Sequence, residues 1–183
     1  MDIASNQRGP AFAAQESVIT LGGGCFWCTE AVFERVRGII QVQSGYCNGT
    51  ALQPTYEQVC TGRTGHNEVV RLTFDPAVIS VQQILQIFFA IHDPTTLNRQ
   101  GNDVGSQYRS VIFYTSEAQR DMALATIEDV NASGLWPGKA VTEVVPAGDF
   151  WPAEREHQDY LERIPEGYTC HFPRAEWVLP KKA

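Results

Sequence analysis

No stretch of 18 apolar residues occurs in this chain of 183, so it has no candidate for a membrane-spanning helix. Positive charge is scarce: 14 Lys and Arg stand against 21 Asp and Glu, a net −7 without any basic block. That balance argues against non-specific nucleic-acid binding. The first residues, Met1 to Arg8, show neither a basic region nor an apolar one, so no secretory leader is expected and the cytoplasm is the expected location. A second Cys-x-x-Cys is missing, and His66 and His171 are isolated, so the ligands of a zinc site are not there. No metal and no cofactor are expected. Five cysteines (25, 28, 47, 60 and 170) make an odd set, which cannot all pair within one chain and does not suit a disulfide framework. Internal repeats, low-complexity tracts and linkers are also absent. One catalytic-sized domain over residues 16–183 follows, with a polar tail over 1–15 and a monomer as the expected state.

What is present begins with an ordinary hydrophobic fraction of 43%, enough for a real core. Alternation predicts strands at 17–21, 39–46, 68–74, 110–114 and 141–145. Helical spacing predicts helices at about 26–36, from the Ser80/Gln83 capping box to Ile91, over 116–133 and over 153–163. Residues 47–65 read as a polar connection and 93–109 as a long loop, a length that usually signals function. In order, residues 17–114 give β-α-β-β-α-β. The fold class is α+β: a ferredoxin-like split βαβ core with helices packed on an antiparallel or mixed sheet, and a largely irregular C-terminal segment.

The chemistry gathers first at Gly22-Gly23-Gly24-Cys25-Phe26-Trp27-Cys28. Cys25 falls between a strand and a helix, where unpaired N–H groups and the helix dipole favour the reactive thiolate. The glycines let the chain turn and leave the sulfur uncovered. Phe26 and Trp27 add an apolar surface beside it. Cys28, three residues on, shares the helix face and suits either a redox pair or simple packing. Cys47 and Cys60 read as small buried hydrophobes.

Glu68 shares its strand face with Val70 and Leu72. Burial there would hold its carboxyl neutral, ready to donate a proton, whereas an edge position would let it reach water; the pattern suits both. Asp103 and Tyr108 lie in a turn-rich loop that could deliver a carboxylate and a phenol to a site. Tyr56 is first a core tyrosine and second a hydroxyl donor. His157-Gln158-Asp159-Tyr160 reads as the polar face of a helix.

Taken together, Gly24-Cys25-Phe26-Trp27, Ser44-Gly45-Tyr46, Tyr56-Glu57, Thr64-Gly65-His66-Asn67-Glu68, Asn98-Arg99-Gln100-Gly101-Asn102-Asp103, Gly105-Ser106-Gln107-Tyr108-Arg109-Ser110, Phe150-Trp151-Pro152-Ala153-Glu154 and His157-Gln158-Asp159-Tyr160-Leu161 resemble the A-type peptide methionine sulfoxide reductases, in the subgroup with Gly-Cys-Phe-Trp-Cys. The likeness spans about residues 17–172. It implies reduction of methionine S-sulfoxide, free or in proteins, with thioredoxin as reductant. It also implies roles: Cys25 as nucleophile, Glu68 as proton donor, Tyr56 and Tyr108 as hydrogen-bond donors to the sulfoxide oxygen, Asp103 as an orienting neighbour, and Phe26 and Trp27 as the methyl slot. The thiol that resolves the sulfenic acid is Cys28 or Cys170, with Cys60 third. Two rivals stand beside this reading: a general thiol–disulfide oxidoreductase using Cys25 and Cys28, and a module that binds sulfoxides without turnover.

Overall fold

The alternation over 68–74 is realised in the middle of a six-stranded sheet. The computed structural model describes residues 17–169 and 173–180; the expected tail over 1–15 and Cys170 lie outside them. In chain order the elements are β1 (Ser17–Gly22), α1 (Phe26–Phe33), β2 (Ile39–Cys47), α2 (Tyr56–Cys60), β3 (Asn67–Phe74), α3 (Val81–Ile91), β4 (Arg99–Gln100), β5 (Asp103–Val104), β6 (Val111–Tyr114), α4 (Glu117–Ser133), β7 (Glu143–Pro146), β8 (Phe150–Pro152) and α5 (Tyr160–Arg163). The sheet order is β7-β6-β1-β3-β2-β8, and β4 pairs with β5 in a small ladder of its own. The central strands β6-β1-β3-β2 pair antiparallel, which is the split βαβ arrangement. β7 adds parallel to β6, and β8 antiparallel to β2.

One sheet face carries the main core: Ile19, Leu21, Val70 and Leu72 meet Phe33 of α1 and Ile84, Leu85, Phe88 and Phe89 of α3. The other face holds a smaller cluster of Cys47, Val69, Val111 and Phe113, beside Phe150. The Arg71 guanidinium lies 4.1 Å over the Phe150 ring and covers part of it. No helix among the described residues is long and apolar enough to cross a membrane.

Several elements depart from expectation, each for a local reason. The helix predicted over 26–36 ends at Phe33, and residues 34–38 turn through Gly38 (φ 97°) into β2. The connection over 47–65 contains α2, whose Thr55/Gln58 capping box satisfies two otherwise unpaired N–H groups. The long loop holds the β4–β5 ladder and a 3₁₀ turn, Ser106–Tyr108. The strand predicted over 141–145 is Glu143–Pro146, and β8 follows it as an unpredicted edge. The helix predicted over 153–163 is broken into a 3₁₀ turn, Arg155–His157, and α5. Asp159 between them is left-handed (φ 52°, ψ 35°), which no continuous helix admits.

Candidate active site

Antiparallel pairing brings the end of β1, the end of β2, the start of β3 and the segment before β6 to one edge of the sheet. Register fixes this: Gly22 faces Val111, Leu21 faces Val70, and Tyr46 faces Glu68. Cys25 follows β1, Glu68 is the second residue of β3, and Tyr108 precedes β6, so residues far apart in sequence meet there. Gly24 turns the chain at φ 94° between β1 and α1. A side chain at Gly23 would sit 2.8 Å from the Phe88 ring, so the turn is pressed onto α3.

Cys25 occupies the N-cap position of α1 and is 6% exposed, so the thiol is more covered than the glycine loop suggested. The next backbone N–H, from Phe26, donates to Glu68 Oε2 at 3.2 Å. That bond ties the acid to the start of α1, one residue from the sulfur. Glu68 is 2% exposed. Burial pushes its carboxyl up to about 8; the Phe26 N–H opposes the shift, while the charges of Asp103 and Cys28 add to it. The carboxyl is therefore mostly neutral at pH 7 and can donate a proton.

Two phenols share this space. Tyr108 is raised above the usual phenol range by burial, then by the nearby charge of Glu68, with Cys60, Asp103 and Cys25 contributing. Tyr56, at the start of α2, is raised first by burial and then by the charge of Glu68, with Cys60 on the same helix and Tyr108 contributing. Both stay protonated and remain donors. Asp103 accepts a hydrogen bond from the Tyr168 hydroxyl at 3.2 Å. Backbone from the same segment meets Cys28, whose buried thiol donates to the Tyr168 carbonyl at 3.7 Å.

Phe26 and Trp27 form one wall. The Trp27 ring stacks on Tyr160 at 3.9 Å between centroids, and the Tyr56 ring lies 6.2 Å from it. The Trp27 Nε1–H donates to His157 Nδ1 at 3.2 Å, and the His157 ring packs 4.3 Å from Tyr56. His157 is 8% exposed, so it belongs to this wall and not to a polar helix face as the pattern suggested.

The structure thus brings Cys25, Phe26, Trp27, Cys28, Tyr56, Glu68, Asp103 and Tyr108 to one place. Tyr56 packs against the main core, as its pattern suggested, and also borders this site; Cys60, expected to be a small buried hydrophobe, is instead exposed, at the end of the short helix α2. Cys47 lies on the other sheet face, where burial pushes its thiol up to about 12. Sequence reasoning gave no place in the site to Tyr46, Glu154, His157 and Tyr160. Tyr46 donates to Glu154 Oε2, and the Tyr56 N–H donates to Glu154 Oε1. No local periodicity marks these residues, because their partners lie about a hundred positions away.

The family profile described as peptide methionine sulfoxide reductase matches residues 17–180. A peptide methionine sulfoxide reductase MsrA from Mycobacterium sp. (strain MCS) is 56% identical over 163 residues, 89% of this chain and 93% of that protein. The reduced form of Mxr1 from Saccharomyces cerevisiae superposes with a TM-score of 0.82 at 37% identity, covering 87% of this chain and 92% of Mxr1. The structure of Mxr1 in complex with Trx2 gives a TM-score of 0.60 at 25% identity over 92% of this chain and 96% of that one. With profile, identity and fold in agreement over nearly the whole length, the chain belongs to the A-type peptide methionine sulfoxide reductases, enzymes that reduce methionine sulfoxide to methionine.

Proposed function

We propose that Cys25 attacks the sulfur of methionine S-sulfoxide while Glu68 delivers the proton that the sulfoxide oxygen requires. The observation that carries this reading is the Phe26 N–H to Glu68 bond, which puts a neutral acid beside the first turn that carries the thiol. Attack moves electron density onto the oxygen. Two phenols and a carboxylic acid, all protonated at neutral pH, suit that developing charge. Asp103 keeps to the edge of this group, held by Tyr168. Phe26 and Trp27 receive the S-methyl group, and an apolar slot on one side with donors on the other selects the S epimer.

The balance is simple. The thiol and sulfoxide become sulfenic acid at Cys25 and the free thioether. A second thiol then condenses with the sulfenic acid, forming a disulfide and releasing water. We assign that thiol to Cys28, three residues along α1, with Cys170 as the competitor. A thioredoxin-type dithiol restores both thiols by exchange; the Mxr1–Trx2 complex supports this choice of reductant. A reducing compartment suits such a cycle, and we take the enzyme to work in the cytoplasm as a monomer, on oxidised proteins or free methionine sulfoxide.

One equivalent of methionine S-sulfoxide added to reduced protein, followed by alkylation and disulfide mapping, tests the scheme. One methionine should form per chain, with a Cys25–Cys28 bond. A Cys25–Cys170 bond would move the resolving role, and an unoxidised Cys25 would discard the mechanism.

A further inference from the structure

The carboxylate of Glu154 joins three parts of the site wall. Its Oε1 accepts the Tyr56 N–H at 2.9 Å, and its Oε2 accepts the Tyr46 hydroxyl at 3.0 Å. The same Oε2 lies 3.4 Å from His157 Nε2, and the Glu154 side chain is 31% exposed.

Each contact has a consequence for the reacting groups. α2 is only five residues long, too short for its own hydrogen bonds to hold it in place. Its capping box serves the N–H groups of Gln58 and Thr55, which leaves the Tyr56 N–H to Glu154. That bond, spanning 98 residues of sequence, fixes the helix start from which the Tyr56 phenol projects. At His157, Nδ1 accepts from the indole N–H of Trp27, a group that can only donate. Nδ1 therefore carries the lone pair, the ring proton sits on Nε2, and Nε2 faces Glu154. A carboxylate opposite Nε2–H favours that tautomer, which keeps Nδ1 open to the indole. Tyr46 is wholly buried and faces Glu68 in register, so the third bond anchors the ring beside the acid.

We propose that Glu154 is a positioning residue for sulfoxide reduction, setting the place of the Tyr56 phenol through its backbone N–H and the plane of the Trp27 indole through His157. It exchanges no proton with substrate. The proposal rests on the reading of Tyr56 as a donor to the oxygen and of Trp27 as a wall of the methyl slot.

E154Q replaces two acceptor oxygens with one oxygen and an amide N–H₂, so it cannot serve Tyr56, Tyr46 and His157 together. E154D keeps both acceptors on a shorter stem. Three measurements on these variants decide the matter: kinetics with methionine S-sulfoxide and dithiothreitol, the rate of iodoacetamide alkylation at Cys25 by mass spectrometry, and thermal unfolding. E154Q should lower kcat/KM about 10- to 100-fold, the size expected when a reacting group is misplaced by about an ångström. The loss should divide between a raised KM, from the loosened Trp27, and a lowered kcat, from the displaced Tyr56. E154D should regain part of it, and alkylation at Cys25 should stay within about twofold of wild type, since the sulfur itself is not addressed. Wild-type kcat/KM in E154Q overturns the proposal. So does a loss that E154D does not relieve, or one matched by altered alkylation and a lower melting temperature, which would mark a general structural prop. Tyr56→Phe and Trp27→Phe assayed alongside separate the two levels. If both react like wild type, the underlying assignment fails and this one with it; if they are impaired while E154Q is normal, only the role of Glu154 fails.

Discussion

Among single residues, the strongest expectation concerns Glu68. With its carboxyl raised to about 8 by burial, the donor form is present at neutral pH and is lost as pH rises through that value. Single-turnover reduction should therefore fall above about pH 8. Glu68→Gln should slow it about 10²- to 10⁴-fold and abolish that basic limb, as read in a pH–rate profile under single-turnover conditions. On the proposed mechanism, Tyr56→Phe and Tyr108→Phe each remove one donor to the developing oxyanion. Each should cost about 10²-fold in kcat, with the double variant short of the product because the remaining donors share the charge. A rate unchanged in all three variants would refute the assignment. Much of this site was visible in the residues themselves. A cysteine after three glycines, an acid alternating with apolar neighbours and a polar loop carrying a carboxylate and a phenol each announce chemistry locally. Glu154 and His157 do not, since their importance arises from bonds to Tyr56 and Trp27 that only the folded chain creates.

Secondary-structure elements show the same division. The four central strands and the two long helices were legible because each has a period and a start signal, as at Ser80 and Ser116. Missed were the short pieces: α2, the β4–β5 ladder and β8. Segments of two to five residues have too few positions to show a period, and tertiary pairing makes them. β8 exists because Pro152, Trp151 and Phe150 find Gly45, Tyr46 and Cys47. α2 did carry a signal, since Thr55 and Gln58 form a capping box. Thr55→Ala should cost about 1 kcal/mol in urea unfolding through loss of that cap. It should also lower kcat, because Tyr56 is the first residue of the helix thus loosened; unchanged kcat with lowered stability would separate the cap from the site.

For the molecule as a whole, buried acids tie stability to pH. Glu30, 1% exposed, is raised to about 7, chiefly by burial. The folded state then binds its proton more tightly than the unfolded chain does. Its contribution is complete below the ordinary carboxylate range, near 4.5, and drains away as pH rises to about 7, with Glu68 continuing the trend to about 8. The melting temperature should accordingly decline between about pH 5 and 8. Glu30→Gln, which keeps an acceptor for the Asp159 N–H, should flatten the part below 7, worth up to about 3 kcal/mol. A slope identical in the variant would exclude Glu30 as its source. Chain order adds something different. Cys25 caps the first helix, yet the rings and carboxylate of the wall beside it, Glu154, His157 and Tyr160, are made more than a hundred residues later. On the ribosome Cys25 therefore emerges well before the residues that wall it in. On the proposed mechanism, a product terminated before Phe150 should keep the Cys25 thiol and show no sulfoxide reduction.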